Sequence, residues 1–295
     1  MTRLLAFFTA VALVLAPVVP AHALGPTQQA PTRIYSIGDS ITRAFDADLP
    51  ADNLHLSWVN GTHGFLSALL GFPNVQSHHQ RVVANFGSAG VRNQIAAQNG
   101  NRVGHMVTQA SGMSGDETYV TILVGGNDVC KDTIDELPTN EAFAYTFAEG
   151  LIAVLEKLEP GATVQVAAIP DVKRLYEIGT DKKALGVVDC SLLWQTTALG
   201  FPCGSMLSPA NSEADREYVQ ERNVVYNQIM HFLTLLGAHS YPHLYVSFTD
   251  VTYTFAFTQE HVSNIDCYHP SADGQALISE GIWDAGFFSE YDELQ

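Results

Sequence analysis

Four short motifs in this 295-residue chain carry side chains that can do chemistry together. Gly38-Asp39-Ser40 closes an apolar strand near the start, and Asp266-Cys267-Tyr268-His269 precedes a helix-like stretch near the finish. Between them lie Asn85-Phe86-Gly87-Ser88-Ala89-Gly90 and Gly125-Gly126-Asn127-Asp128. The set offers Ser40 as a nucleophile, His269 as a base and Asp266 as the carboxylate that orients it. The N–H groups of Ser40 and Gly90 and the side-chain amide of Asn127 are the oxyanion donors. Ester hydrolysis through an acyl-enzyme needs those parts. With Asp266 three residues before His269, the carboxylate can accept from one imidazole nitrogen while the other faces Ser40. Each fragment alone has a blander reading: an N-cap serine, a turn glycine, an Asx-turn asparagine. Asp128 is assigned to fixing its turn. The order of the four, and where they fall on the scaffold, carry the reading.

Five runs read as strands: 33–37, 81–86, 118–124, 163–169 and 244–248. They are mostly apolar rather than strictly alternating, which suits a parallel sheet covered on both faces. Phe143, Phe147, Leu151, Val154 and Leu158 recur at helical spacing before Pro160-Gly161, and Val225, Ile229, Phe232 and Leu236 do so before Gly237. A closing helix over 275–287 has Ser271 as its N-cap. Strands alternating with helices imply βαβ units and one α/β domain over residues 24–295. A helix starting at Ser40 would aim its dipole at an oxyanion. Ser40, Gly90, Asn127 and the Asp266–His269 loop all follow strand ends, the edge where open α/β sheets hold ligands.

Residues 1–23 read as a cleaved secretory signal peptide: Arg3, the apolar run Leu4 to Leu15, then Ala21-His22-Ala23. That run is short for a membrane span, so no stable membrane anchor and a secreted or periplasmic location are expected. The net charge of −17 offers no basic stripe for phosphates, which argues against nucleic acid. A monomer is the expected state.

Cys130, Cys190, Cys203 and Cys267 form an even set, which favours disulfides over metal ligation in an exported chain. Local spacing favours Cys190–Cys203, leaving Cys130–Cys267. No ligating pattern for a metal is present, and His78-His79, His239 and His243 read as surface histidines. Two long segments are expected to shape the substrate site: 44–63 with Leu54, Leu56 and Trp58, and 171–215 with Trp194 and Phe201.

The four motifs resemble those of the GDSL esterase/lipase family, the SGNH hydrolases, whose blocks contribute Ser, Gly, Asn and His. The resemblance assigns these roles to Ser40, Gly90, Asn127 and His269, with Asp266 beside it. It implies a three-layer α/β/α sandwich around a five-stranded parallel sheet, flavodoxin-like, and no cofactor. Gly125 to Cys130 and Asp266 to Ser271 are similar to the phospholipase B-like and bacterial esterase branches. That likeness points instead to Cys130–Cys203, with Cys190–Cys267 left over. The expected activity is a serine esterase or lipase acting on lipid-like or short-chain esters. Phospholipid acyl hydrolysis and carbohydrate deacetylation are alternatives on the same site. A binding protein with an inactive site is the alternative from another class.

Overall fold

The computed structural model describes residues 28–62, 71, 73–195 and 203–289. Residues 1–23, read above as a signal peptide, and Phe201 lie outside the described residues. Strand β1 is Arg33–Gly38, and helix α1, His78–Phe86, leads to β2, Arg92–Ile95. Helix α2, Met106–Ser111, precedes β3, Tyr119–Leu123, which runs into α3, Gly126–Val129. Next come α4, Asn140–Leu155, β4, Thr163–Ala167, and α5, Val172–Gly179. The long α6, Glu213–Ser240, is followed by β5, Tyr245–Thr249, and finally α7, Ala272–Asp284. The five strands pair in the order β2-β1-β3-β4-β5, and every pairing is parallel. The register sets Gly38 opposite Leu123 and Thr163 opposite Tyr245, so β1 and β3 end side by side.

Strand β3 shows why the sheet needs a layer on each face. Val120 and Ile122 point into a core shared with Phe143, Phe147 and Leu151 of α4 and with Tyr226 and Met230 of α6. Tyr119 and Leu123 point the other way, toward Val82 of α1 and Ile278, Ile282 and Trp283 of α7. Both sets are buried. The period of two therefore has no polar face, and the run reads as continuously apolar. The helices carry their own start signals. Thr139 Oγ1 accepts from Ala142 N at 3.2 Å before α4. Ser212 and Asp215 form a reciprocal capping box before α6. Ser271 Oγ accepts from Gly274 N at 3.2 Å, so the cap of α7 stands two residues after His269.

Four of the sequence-derived strands coincide with observed ones, and the second does not. Residues 81–86 are helical, because Ser77 caps the segment by accepting from Gln80 N at 3.1 Å and Val82 packs on the α7 side. The true second strand is Arg92–Ile95, a four-residue edge strand of mostly polar, part-exposed residues with no apolar run. No helix begins at Ser40 either. A single turn closes from Phe45 N to Ser40 O at 3.0 Å, and positive φ at Ala44 (49°) and Asp46 (52°) takes the chain out of it. His78 is fully buried rather than at the surface, held between Tyr119 Oη at 2.8 Å and Ser279 O at 3.0 Å. Burial pushes its pKa down to about 3. Among the described residues no helix is long and apolar enough to cross a membrane.

Candidate active site

Strand β1 delivers Ser40 to the carboxyl edge of the sheet. Gly38 permits the tight exit, since a Cβ there would lie 2.3 Å from Thr42 Oγ1 and 2.7 Å from Leu123 O. In the turn, Asp39 Oδ1 accepts from Ile41 N at 2.9 Å, while the Ser40 N–H makes no hydrogen bond to the described residues. From the other end of the chain, the loop before α7 brings His269 to the same point. Ser40 Oγ–H donates to His269 Nε2 at 2.8 Å, and His269 Nδ1–H donates to Asp266 Oδ2. These partners are 229 residues apart in sequence.

Asp266 is fixed from its own loop. Its Oδ1 accepts from Tyr268 N at 2.9 Å and His269 N at 3.1 Å, an Asx-type turn that carries the chain through positive φ at Cys267 (59°). Burial alone would raise its pKa. The bond and charge of His269, with the two N–H groups, outweigh burial and hold the carboxyl below its ordinary range. Asp46 stands behind it, raised by burial first and by the Asp266 charge as well. The His269 ring is boxed by Phe45, centroids 5.1 Å apart, and Tyr268 at 4.7 Å. Ser40 and His269 are each 7% exposed, at the floor of the cleft that substrate must enter.

Asn127 sits on α3, one residue after Gly126. Its Nδ2 donates to Asn101 O at 2.9 Å, which leaves its second amide hydrogen for another acceptor. Gly125 makes this sharp entry possible with φ 114°, and a Cβ there would strike Ile169 Cδ1 at 2.7 Å. Gly90 is not brought to this place. It precedes β2, where Arg92 N donates to Thr32 O, so it lies at the amino edge of the sheet. At about 3.3 Å per residue, the six residues of β1 separate it from Ser40 by about 20 Å. The glycine at the carboxyl end of β2 is Gly100, with φ 76°. Its loop is tied to both functional turns: Arg43 Nη1 donates to Ala97 O at 2.9 Å, and Asn127 holds Asn101 O. The Asn99-Gly100 dipeptide was the available sequence signal for this turn.

Buried carboxyls surround the nucleophile. Asp39 is pushed up to about 7, mainly by complete burial. Asp128 is pushed up to about 6, again by burial first, although its Oδ2 accepts from Val103 N at 3.0 Å. That bond anchors the start of the Val103–His105 turn to α3 and so stiffens the loop carrying Gly100 and Asn101.

Two disulfides join the functional loops, Cys130–Cys203 and Cys190–Cys267. These are the pairs that the family resemblance implies, and they overturn the Cys190–Cys203 pair that local spacing favours. An apolar cavity of about 70 Å³ opens beside Ser40, His269 and Asn127. Its walls are Ile169, Val172, Leu175, Ile178, Phe257 and Val262. Segment 171–215 thus supplies a wall through α5. The described part of the other segment, 44–62, supplies none: Trp58 and Leu56 are buried in the core, drawn there by the apolar area they remove from water, and Leu54 is exposed and does not line the cavity.

A sheet with a Ser–His–Asp chain at its carboxyl edge defines an ester-bond hydrolase of the α/β class. The GDSL-like lipase/acylhydrolase family model matches residues 34–282, and the chain belongs to that family. Among solved structures it is similar to a Clostridium thermocellum family 3 carbohydrate esterase, at 14% identity and a TM-score of 0.45, covering 89% of this chain and 98% of that one. It is also similar to a lipase from a goat rumen metagenome, at 14% identity and a TM-score of 0.45, covering 86% and 97%. No curated protein sequence matches the chain.

Proposed function

We propose that this protein hydrolyses short-chain carboxylic esters through an acyl-enzyme on Ser40, outside the cytoplasm. The observation that carries the reading is the unbroken hydrogen-bond chain from Ser40 Oγ through His269 to Asp266, at the mouth of the apolar cavity. Ser40 Oγ attacks the ester carbonyl as His269 Nε2 takes its proton. Asp266 keeps Nδ1 protonated and stabilises the imidazolium. The oxyanion is held by the Ser40 N–H, the Gly100 N–H and the free amide hydrogen of Asn127. His269 then protonates the departing alcohol, and the same base activates water to release the acid.

The volume beside the nucleophile supports a short acyl group. A cavity of about 150 Å³ accepts a benzene-sized guest, and here about 70 Å³ is available beside the nucleophile. That suits acetyl to butyryl groups, including the acetyl groups of sugars, better than a phospholipid fatty chain. The two disulfides and the apolar leader support export. The test is kcat/KM on p-nitrophenyl esters of graded length. The expected result is a maximum at acetate to butyrate and a steep fall by octanoate, all abolished in Ser40→Ala. A maximum at long chains would overturn the acyl assignment, and activity surviving Ser40→Ala would overturn the mechanism.

A further inference from the structure

The loop that carries Gly100 is fixed at both ends by main-chain groups and in the middle by one side chain. Ala96 N donates to Ser36 O at 2.9 Å and Gln98 N to Gly38 O at 3.4 Å, so the loop leaves β2 alongside the strand that delivers Ser40. At its far end Asn101 O accepts from Asn127 Nδ2 at 2.9 Å. Asn99 and Gly100 lie between these ties, and both are exposed. Among the described residues one hydrogen bond reaches them: Asn99 Nδ2 donates to Asp52 Oδ1 at 2.9 Å. Gly100 has φ 76°, and a Cβ there would meet nothing within 4 Å, so no packing restrains its peptide. Glycine is the residue with the most backbone freedom to lose, whereas an oxyanion donor has to be aimed before charge develops.

Arg43 connects that side-chain tie to the nucleophile turn. Its backbone N–H donates to Asp39 O at 3.3 Å, within the turn. Its guanidinium reaches two ways. Nε, at 2.9 Å, and Nη2 donate to Asp52 Oδ2, while Nη1 donates to Ala97 O at 2.9 Å. Asp52 is thus shared, one oxygen on the arginine and the other on the Asn99 amide. The bonds from Arg43 first, with that from Asn99, outweigh burial and hold the Asp52 carboxyl below its ordinary range, so it is an ionised acceptor for both. The Asp52 backbone pairs with Phe45, whose ring packs on His269. A partly exposed ion pair of this kind adds little to stability, but its fork geometry fixes direction.

Given the acyl-enzyme mechanism above, on which this rests, we propose that Arg43, Asp52 and Asn99 are positioning residues that hold the Gly100 N–H toward the oxyanion. None of the three lines the acyl cavity, so they act on the reaction through the loop.

The test is steady-state kinetics of the intact protein, Asn99→Ala and Asp52→Ala on p-nitrophenyl butyrate. Inhibition by butylboronic acid, whose tetrahedral adduct on Ser40 needs the same donors, is measured beside it. The expected result is a fall in kcat of about 10–100-fold in each variant, since a misplacement of about 1 Å costs roughly 10² in rate. KM stays within about twofold, and the boronate Ki rises in proportion to the fall in kcat/KM. Asn99→Asp adds a readout that lost packing cannot give. At neutral pH the introduced carboxylate repels Asp52; once protonated, below about pH 5, it donates to Asp52 as the amide does. The rate of that variant relative to wild type therefore recovers as pH falls. Asn99 is exposed, so its variants fold, and thermal unfolding checks all three. Wild-type kcat in folded Asn99→Ala or Asp52→Ala, a loss carried by KM instead, or an Asn99→Asp ratio indifferent to pH overturns the proposal. Activity surviving in Ser40→Ala would defeat the acyl-enzyme reading itself. A dead Ser40→Ala beside wild-type rates in the Asn99 and Asp52 variants would defeat the tether alone.

Discussion

The Cys190–Cys267 bridge joins the short helix Cys190–Leu193 to the loop that carries Asp266 and His269, and removing it tests whether that loop needs an external tie. Both cysteines are fully buried, and 77 residues separate them. The chain-entropy relation gives about 4.5 kcal/mol at 25 °C for a loop of that length. The bond 130–203 offers no shorter path between positions 190 and 267, so it does not reduce the effect. For a domain of this size, about 2 °C per kcal/mol converts the loss into a fall of about 9 °C in Tm. Cys190→Ala with Cys267→Ala is the perturbation, and Ala keeps most of the local packing. Cys267 already sits at φ 59°, so the substitution adds little new backbone strain there. The catalytic consequence is separate: a shift of about 1 Å between His269 and Ser40 costs roughly 100-fold in rate. Thermal unfolding and kcat on p-nitrophenyl butyrate, measured well below the new Tm, read the two effects independently. A lower Tm with unchanged kcat would show that Asp266 and the Asx-turn position His269 unaided. An unchanged Tm would refute the entropic reasoning itself.

Asn127→Ala should lower kcat about 10²–10³-fold with little change in KM, because its free amide hydrogen meets charge that develops only in the transition state; an effect on KM alone would make it a ground-state binder. Gly90→Ala should leave kcat unchanged, whereas Gly100→Ala, at φ 76°, should reduce it by displacing the proposed donor; the reverse result would return Gly90 to the site. Asp39 has a folded pKa of about 7 against an ordinary 3.8, so the native state binds more protons than the unfolded one across that window. Stability should therefore fall as pH rises from about 4 to about 7, by up to about 4 kcal/mol from this group. Asp39→Asn, followed by denaturant unfolding at each pH, should flatten that decline, and an unaltered slope would exclude Asp39 as its source.

Much of the fold was legible because β1, β3 and β4 are buried on both faces and carry mostly apolar runs closed by Gly38, Gly125 and Pro170, while β5 keeps enough apolar residues at the other edge to read as a strand. Strand β2 escaped for the opposite reason: an edge position let Arg92, Asn93 and Gln94 stand where apolar residues elsewhere mark the sheet. That miss shifted the strand reading to Val82-Val83, one helix too early, and the proposed oxyanion glycine to Gly90, at the amino rather than the carboxyl end of β2. His78 and Trp58 were misplaced because burial of a histidine or a loop tryptophan depends on partners distant in sequence, here Tyr119, Ser279 and Val82. The Ser40–His269–Asp266 set was visible because its residue types and order are constrained by chemistry. Asp46 had no motif to announce it.

The central claim is that Ser40 is the nucleophile activated by His269. Treating the protein with a serine-reactive phosphonate, then measuring intact mass and mapping the adduct by peptide sequencing, tests it most directly. One adduct per chain is expected, on Ser40, with labelling slowed strongly in His269→Ala. An adduct on another residue, or none on active enzyme, would contradict it.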